Sequence, residues 1–216
     1  AAMTVTTAAV VLSPEGKIVA CRIDVSEDKI SVKDGELPPT ESLTFATKAE
    51  LGDAYGMAAG GAKAEWFVEV RAFEDYLVGK TKRDLSLLPT KEENGGVYTA
   101  DETLAASCTI AIGDMLSAVK KAVNDTQKAT LAAEPSKLGL AFRTTASDST
   151  AASAEKDGRA VIFTTLAATA LDGDGKILGT VLDAAEGEIL FDQTGKIGEK
   201  TYKGTKREQK ESYGMS

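Results

Sequence analysis

The chain is 216 residues long, carries 25 Lys plus Arg against 33 Asp plus Glu for a formal charge of −8, and contains no histidine. The missing imidazole excludes Ser-His-Asp and Cys-His catalysis, His-ligated zinc or haem, and a histidine pH switch. A sequence pI near 4.8 argues against nucleic acid as a partner, because phosphate binding needs clustered cations.

With 43% hydrophobic residues, one domain over 1–216 can bury a core unaided. Its apolar runs fall short of the roughly 18–20 residues that cross a bilayer. Ala1-Ala2-Met3-Thr4 leads straight into a strand-like pattern with no basic, apolar leader, as expected if an export signal has been processed away or lies outside the sequence.

Residues 10–32 read VVLSPEGKIVACRIDVSEDKISV, an apolar run, a turn at Ser13-Pro14-Glu15-Gly16 and a second run, the signature of an antiparallel hairpin. Alternation in the second run points Val19, Cys21, Ile23 and Val25 to the core. Thr47, three residues before Glu50, predicts a capping box and a short helix, after which comes Tyr55-Gly56-Met57. Cys21 and Cys108 are too few for a disulfide scaffold, and one bridge or two buried thiols both fit.

In the middle of the chain, Trp66, Phe67, Val70, Phe73 and Leu77 lie at helical spacing and predict a helix over 62–78 with Gly79 just past its end. Gly79-Lys80-Thr81 lacks the earlier glycine and strand of a phosphate loop. Residues 91–98, with Asn94-Gly95-Gly96, read as an exposed loop. Met115, Leu116, Val119 and Val123 form a second helical stripe within 103–124, residues 138–142 suggest a strand, and 143–159 read as a Ser/Thr/Ala-rich linker.

The first segment then recurs. Residues 169–191 read TALDGDGKILGTVLDAAEGEILF and align without a gap on 10–32, so that Ile18 falls on Ile177 and Asp24 on Asp183. After a one-residue adjustment, Thr47-Lys48, Glu50 and Tyr55-Gly56-Met57 fall on Thr205-Lys206, Glu208 and Tyr213-Gly214-Met215. The expected fold is therefore α+β: two repeated antiparallel β-meander units framing a central helical region, with repeat one at 3–58, the helical middle at 59–142, the linker at 143–159 and repeat two at 160–216. The duplication also makes Gly173, Gly175 and Gly179 a hairpin turn rather than a nucleotide loop. Asp172 and Asp174 lack the spacing of a calcium loop, and no metal site is expected. Asp24 and Asp183 are a repeated carboxylate pair, but as strand-end solvated charges they suggest no hydrolase.

Ala106-Ser107-Cys108-Thr109-Ile110 and the stretch after it resemble the Ser-Gly-Ala-Thr segment and following helix of FMN-binding domains in electron-transport subunits. That family also carries Gly-Lys-Ile hairpin turns. The resemblance covers about 20 residues and implies FMN near Thr109, which matches the threonine that carries the flavin phosphate in that family. A slot for the ring would be lined by Tyr55, Met57, Tyr213 and Met215. The chain as a whole resembles small Gram-positive bacterial lipoproteins of unassigned function with paired Thr-Lys-x-Glu…Tyr-Gly-Met segments. This implies an extracytoplasmic module tethered through a lipid upstream of Ala1. The expected role is noncatalytic binding of a small molecule or a surface protein in a groove between the repeats, with FMN-linked electron transfer as the alternative.

Overall fold

A computed structural model describes residues 1–125 and 129–214 of the chain. Strand β1 (Ala2–Leu12) and β2 (Ile18–Lys29) form an antiparallel hairpin with Ala8 opposite Ile23 and Val10 opposite Cys21. Gly16 closes the turn at φ +78° by donating its N–H to the Ser13 carbonyl, a backbone region in which glycine is unstrained. A one-turn helix α1 (Lys48–Leu51) and a 3-10 turn follow, then the long helix α2 (Trp66–Leu77), α3 (Lys82–Ser86), a small hairpin of β3 (Thr90–Glu93) and β4 (Gly96–Thr99), α4 (Glu102–Ala105) and α5 (Gly113–Asn124). The rest is a four-stranded antiparallel meander, β5 (Lys137–Thr145), β6 (Gly158–Leu171), β7 (Ile177–Phe191) and β8 (Ile197–Thr205), with α6 (Lys206–Gln209) after it. The architecture is α+β with antiparallel sheets.

Three expectations change. Val19 is exposed, because the pairing passes from Val11 opposite Ala20 to Leu12 opposite Ile18 and leaves Val19 as the extra residue of a β-bulge. Residues 91–98 are not a loop but most of the β3–β4 hairpin, turned by Asn94-Gly95 with both residues at positive φ. The supposed linker 143–159 is structured at both ends: Arg143, Thr144 and Thr145 finish β5, Gly158 and Arg159 begin β6, and Ala146 is buried.

Two cores result. In the first, α2 lies on β2 and α5 on β1, enclosing Ile23, Val70, Phe73, Leu77, Ile112 and Val119. The second, where the β1–β2 hairpin meets the four-stranded sheet, gathers Ile30, Ala146, Ala160, Ile162 and Phe191. Backbone approaches backbone here: a Cβ on Gly35, which sits at φ +74°, would come within 2.7 Å of the Gln193 carbonyl oxygen. Between hairpin and sheet runs a buried polar seam. The Ser26 hydroxyl (2.7 Å) and the Thr144 hydroxyl (3.3 Å) both donate to Asp28 Oδ2, and Thr144 in turn shares a 3.0 Å hydrogen bond with Thr164.

Burial holds the Asp28 carboxyl above its ordinary pKa, against the opposing pull of the two hydroxyls. The folded chain therefore takes up this proton more readily than the unfolded one, and stability falls as pH rises from the ordinary carboxylate value through the raised one. Asp28→Asn is expected to be more stable than the parent at pH 8, with an advantage that shrinks steadily towards pH 4, as measured by urea unfolding across that range.

Candidate functional site

The segment between β2 and α2 is a capped turn tied to the hairpin by one carboxylate. Asp24 Oδ1 accepts from the N–H groups of Val25 (2.8 Å) and Ala49 (3.2 Å), so the first turn of α1 is anchored on β2. Burial still raises the Asp24 pKa, since it outweighs the bonds from Thr47, Val25 and Ala49. Thr47 and Glu50 form the expected capping box. Lys48 pairs with Glu27 at 2.8 Å and lies 4.9 Å from the centroid of the Tyr55 ring and 5.9 Å from that of Trp66, within cation–π range.

The same contacts occur near the C-terminal end. Asp183 Oδ1 accepts from Ala184 (2.8 Å) and Arg207 (3.0 Å), Thr205 and Glu208 form a capping box, and Lys206 lies 4.6 Å from the Tyr213 ring centroid and 4.8 Å from that of Phe163. Leu178, like Val19, is the extra residue of a bulge. Asp24 and Asp183 are thus mid-strand acceptors for a helix start rather than solvated charges at strand ends. The backbone repeats as well: Gly52 has φ 51°, ψ −126°, and Lys210 has φ 49°, ψ −125°.

Helix α2 and the residue that caps its start, Glu65, carry three buried carboxylates that the sequence reading missed, each directed at a different segment. Glu65 accepts from the N–H groups of Met57 and Ala58, both at 3.0 Å. Glu69 accepts from the Thr109 N–H (2.5 Å) and from its hydroxyl (2.8 Å). Glu74 accepts from the Ile23 N–H (2.6 Å) and pairs with Arg22 and Arg71 at 3.1 and 3.3 Å. Their sequence signal is acidic residues set inside the apolar stripe of Trp66, Val70, Phe73 and Leu77. Burial pushes the free thiols up, Cys21 to about 12 and Cys108 to about 11, with a nearby carboxylate adding to each. Both stay protonated at neutral pH, as unreactive core residues.

The expected site residues fall into three settings. Tyr55 and Met57 pack against the first core, Thr109 is held by Glu69, and Tyr213 lies beside Lys206 and Phe163 on the four-stranded sheet. Met215 lies outside the described residues. No family model, curated protein or solved structure matches the chain. Two shallow surface depressions, one around Lys156, Arg159 and Gln193 and the other around Gly16, Lys82 and Leu87, contain none of these residues. Among the described residues, no group of His, Cys, Asp and Glu could hold a metal ion.

One surface distinguishes the two hairpins. Ile18 and Ile23, beneath α2, are 1% and 3% exposed, whereas Ile177 and Leu182, which align with them, are 63% and 61% exposed. Ile177 and Leu182 share one face of the sheet with Ala141 and Ala167, as the cross-strand pairings require. The opposite face is partly covered by the segment around Leu131, whose side chain abuts Gly179.

Thr109→Val removes the hydroxyl donor to a buried carboxylate and is expected to cost about 1.5–3 kcal/mol in urea unfolding, while Thr109→Ser stays near the parent. Lys210→Gly relieves a backbone conformation that a side chain makes costly and is expected to stabilise by about 1 kcal/mol in the same assay.

Proposed function

We propose that this chain is a noncatalytic binding module made of two copies of one hairpin-and-capped-turn unit around a helical middle, and that it binds its ligand on the second copy. The observation that carries this reading is the open apolar face at Ile177 and Leu182, set beside the closed face at Ile18 and Ile23. Apolar side chains gathered on one exposed face, when they form a contiguous patch, are a feature of interaction sites. The copy relationship is supported by the repeated bulge, the repeated aspartate tie, the repeated capping box and the matched dihedrals of Gly52 and Lys210. The noncatalytic character is supported by two buried thiols held protonated and by carboxylates spent on backbone N–H groups. An extracytoplasmic, lipid-tethered location goes with this reading on the strength of the lipoprotein resemblance. In the alternative, electron transfer with FMN attached near Thr109, the Thr109 hydroxyl would have to leave Glu69, a buried carboxylate that it now satisfies.

Two measurements test the proposal. A photoreactive residue at position 182, in cells of the native host, is expected to give a discrete cross-linked adduct, while the same residue at Leu87, equally exposed but on another surface, gives none. Protein produced in a flavin-rich host is expected to precipitate colourless. Yellow colour that stays with the denatured chain and disappears in Thr109→Val would replace the binding role with the flavin one.

A further inference from the structure

We infer that the ligand of the open face is an amphipathic helix of the α2 type, supplied by a protein partner, with a carboxylate set inside its apolar stripe. The inference rests on the binding role proposed above and on the relation between the two hairpins.

The first hairpin shows what such a face accepts. There α2 lays Val70, Phe73 and Leu77 on β2, and Glu74 reaches the strand edge to accept the Ile23 N–H. That N–H points out of the hairpin, so Ala8 and Ile23 form a pair that exchanges no backbone hydrogen bonds. Ala167 and Leu182 hold the same register in β6 and β7, which directs the Leu182 N–H outward as well. Strand β8 pairs with β7 only between Ala185 and Phe191, and from Ile177 to Ala184 that edge carries no strand among the described residues. An edge N–H beside exposed leucine and isoleucine is the arrangement that Glu74 and its apolar neighbours satisfy in the first hairpin.

The ends of the site also correspond. Lys48 lies over the rings of Tyr55 and of Trp66, the first residue of α2, and Lys206 lies over those of Tyr213 and Phe163, so in the second copy Phe163 of β6 already holds the aromatic place that α2 fills in the first. Charge agrees with a helix of the α2 type. Residues 65–77 hold four acidic residues, Glu65, Glu69, Glu74 and Asp75, against Arg71 alone, and the open face offers Arg143, exposed two residues on from Ala141, together with Lys206, against the exposed Glu186 on the same face of β7. Helix-in-groove recognition uses anchors at this spacing.

The probe is a labelled peptide of residues 62–79 of this chain, titrated into the whole protein by fluorescence anisotropy. Saturable one-to-one binding is expected, weakened at least tenfold by Leu182→Lys in the protein and several-fold by Glu74→Gln in the peptide. Amide exchange at Leu182 should slow on binding. Because Leu182 is exposed, the Leu182→Lys protein keeps its melting temperature, so loss of binding is not loss of fold. Absence of saturable binding, or binding that survives Leu182→Lys, overturns the helical ligand. If the cross-link at position 182 nevertheless forms in cells, the helix falls and the binding role stands; if both fail, both fall.

Discussion

Glu65 at the cap of α2 and Glu69 and Glu74 within it are buried and end on three different segments, so the first half of the chain closes only when α2, the Met57 turn, the Thr109 loop and β2 come together in one arrangement. A buried carboxylate without donors is costly, and losing one partner is worse than never having had the pair. The apolar stripe of α2 gives the helix a reason to be inside, and the carboxylates determine where along it each neighbour must sit. The sequence separations, 8 residues to Met57, 40 to Thr109 and 51 to Ile23, show how much chain one helix organises.

Much of this layout was legible beforehand. Alternation and turn residues revealed the hairpins, and Thr47 with Glu50 and Thr205 with Glu208 announced their capping boxes. The spacing of Trp66, Val70, Phe73 and Leu77 revealed α2, whose observed start at Trp66 reflects the diversion of Glu65 to the N–H groups of Met57 and Ala58. These features are local, and local chemistry is what a sequence displays.

What was not legible depends on partners distant in the chain. Val19 alternates correctly with Cys21, yet a bulge set by pairing with β1 turns it outward. Residues 143–145 have a linker's composition, yet β6 supplies their hydrogen bonds. The bond from the Thr109 hydroxyl to Glu69, 40 residues away, has no local signature. Asp24 and Asp183 look like surface charges because their use, as acceptors for the first turn of a following helix, appears only once strand and helix meet.

The seam of Ser26, Asp28, Thr144 and Thr164 has a second consequence, for alignment. Apolar contacts such as Ile30 against Phe191 tolerate sliding, since one aliphatic neighbour serves nearly as well as another. A carboxylate that draws one hydroxyl from its own strand and one from β5 does not. Because strand side chains alternate, a slip of one residue would turn Thr144 to the other face and leave Asp28 dry and short of a donor. The polar seam works as a vernier between hairpin and sheet, selecting one docking position among several that the greasy contacts alone would accept.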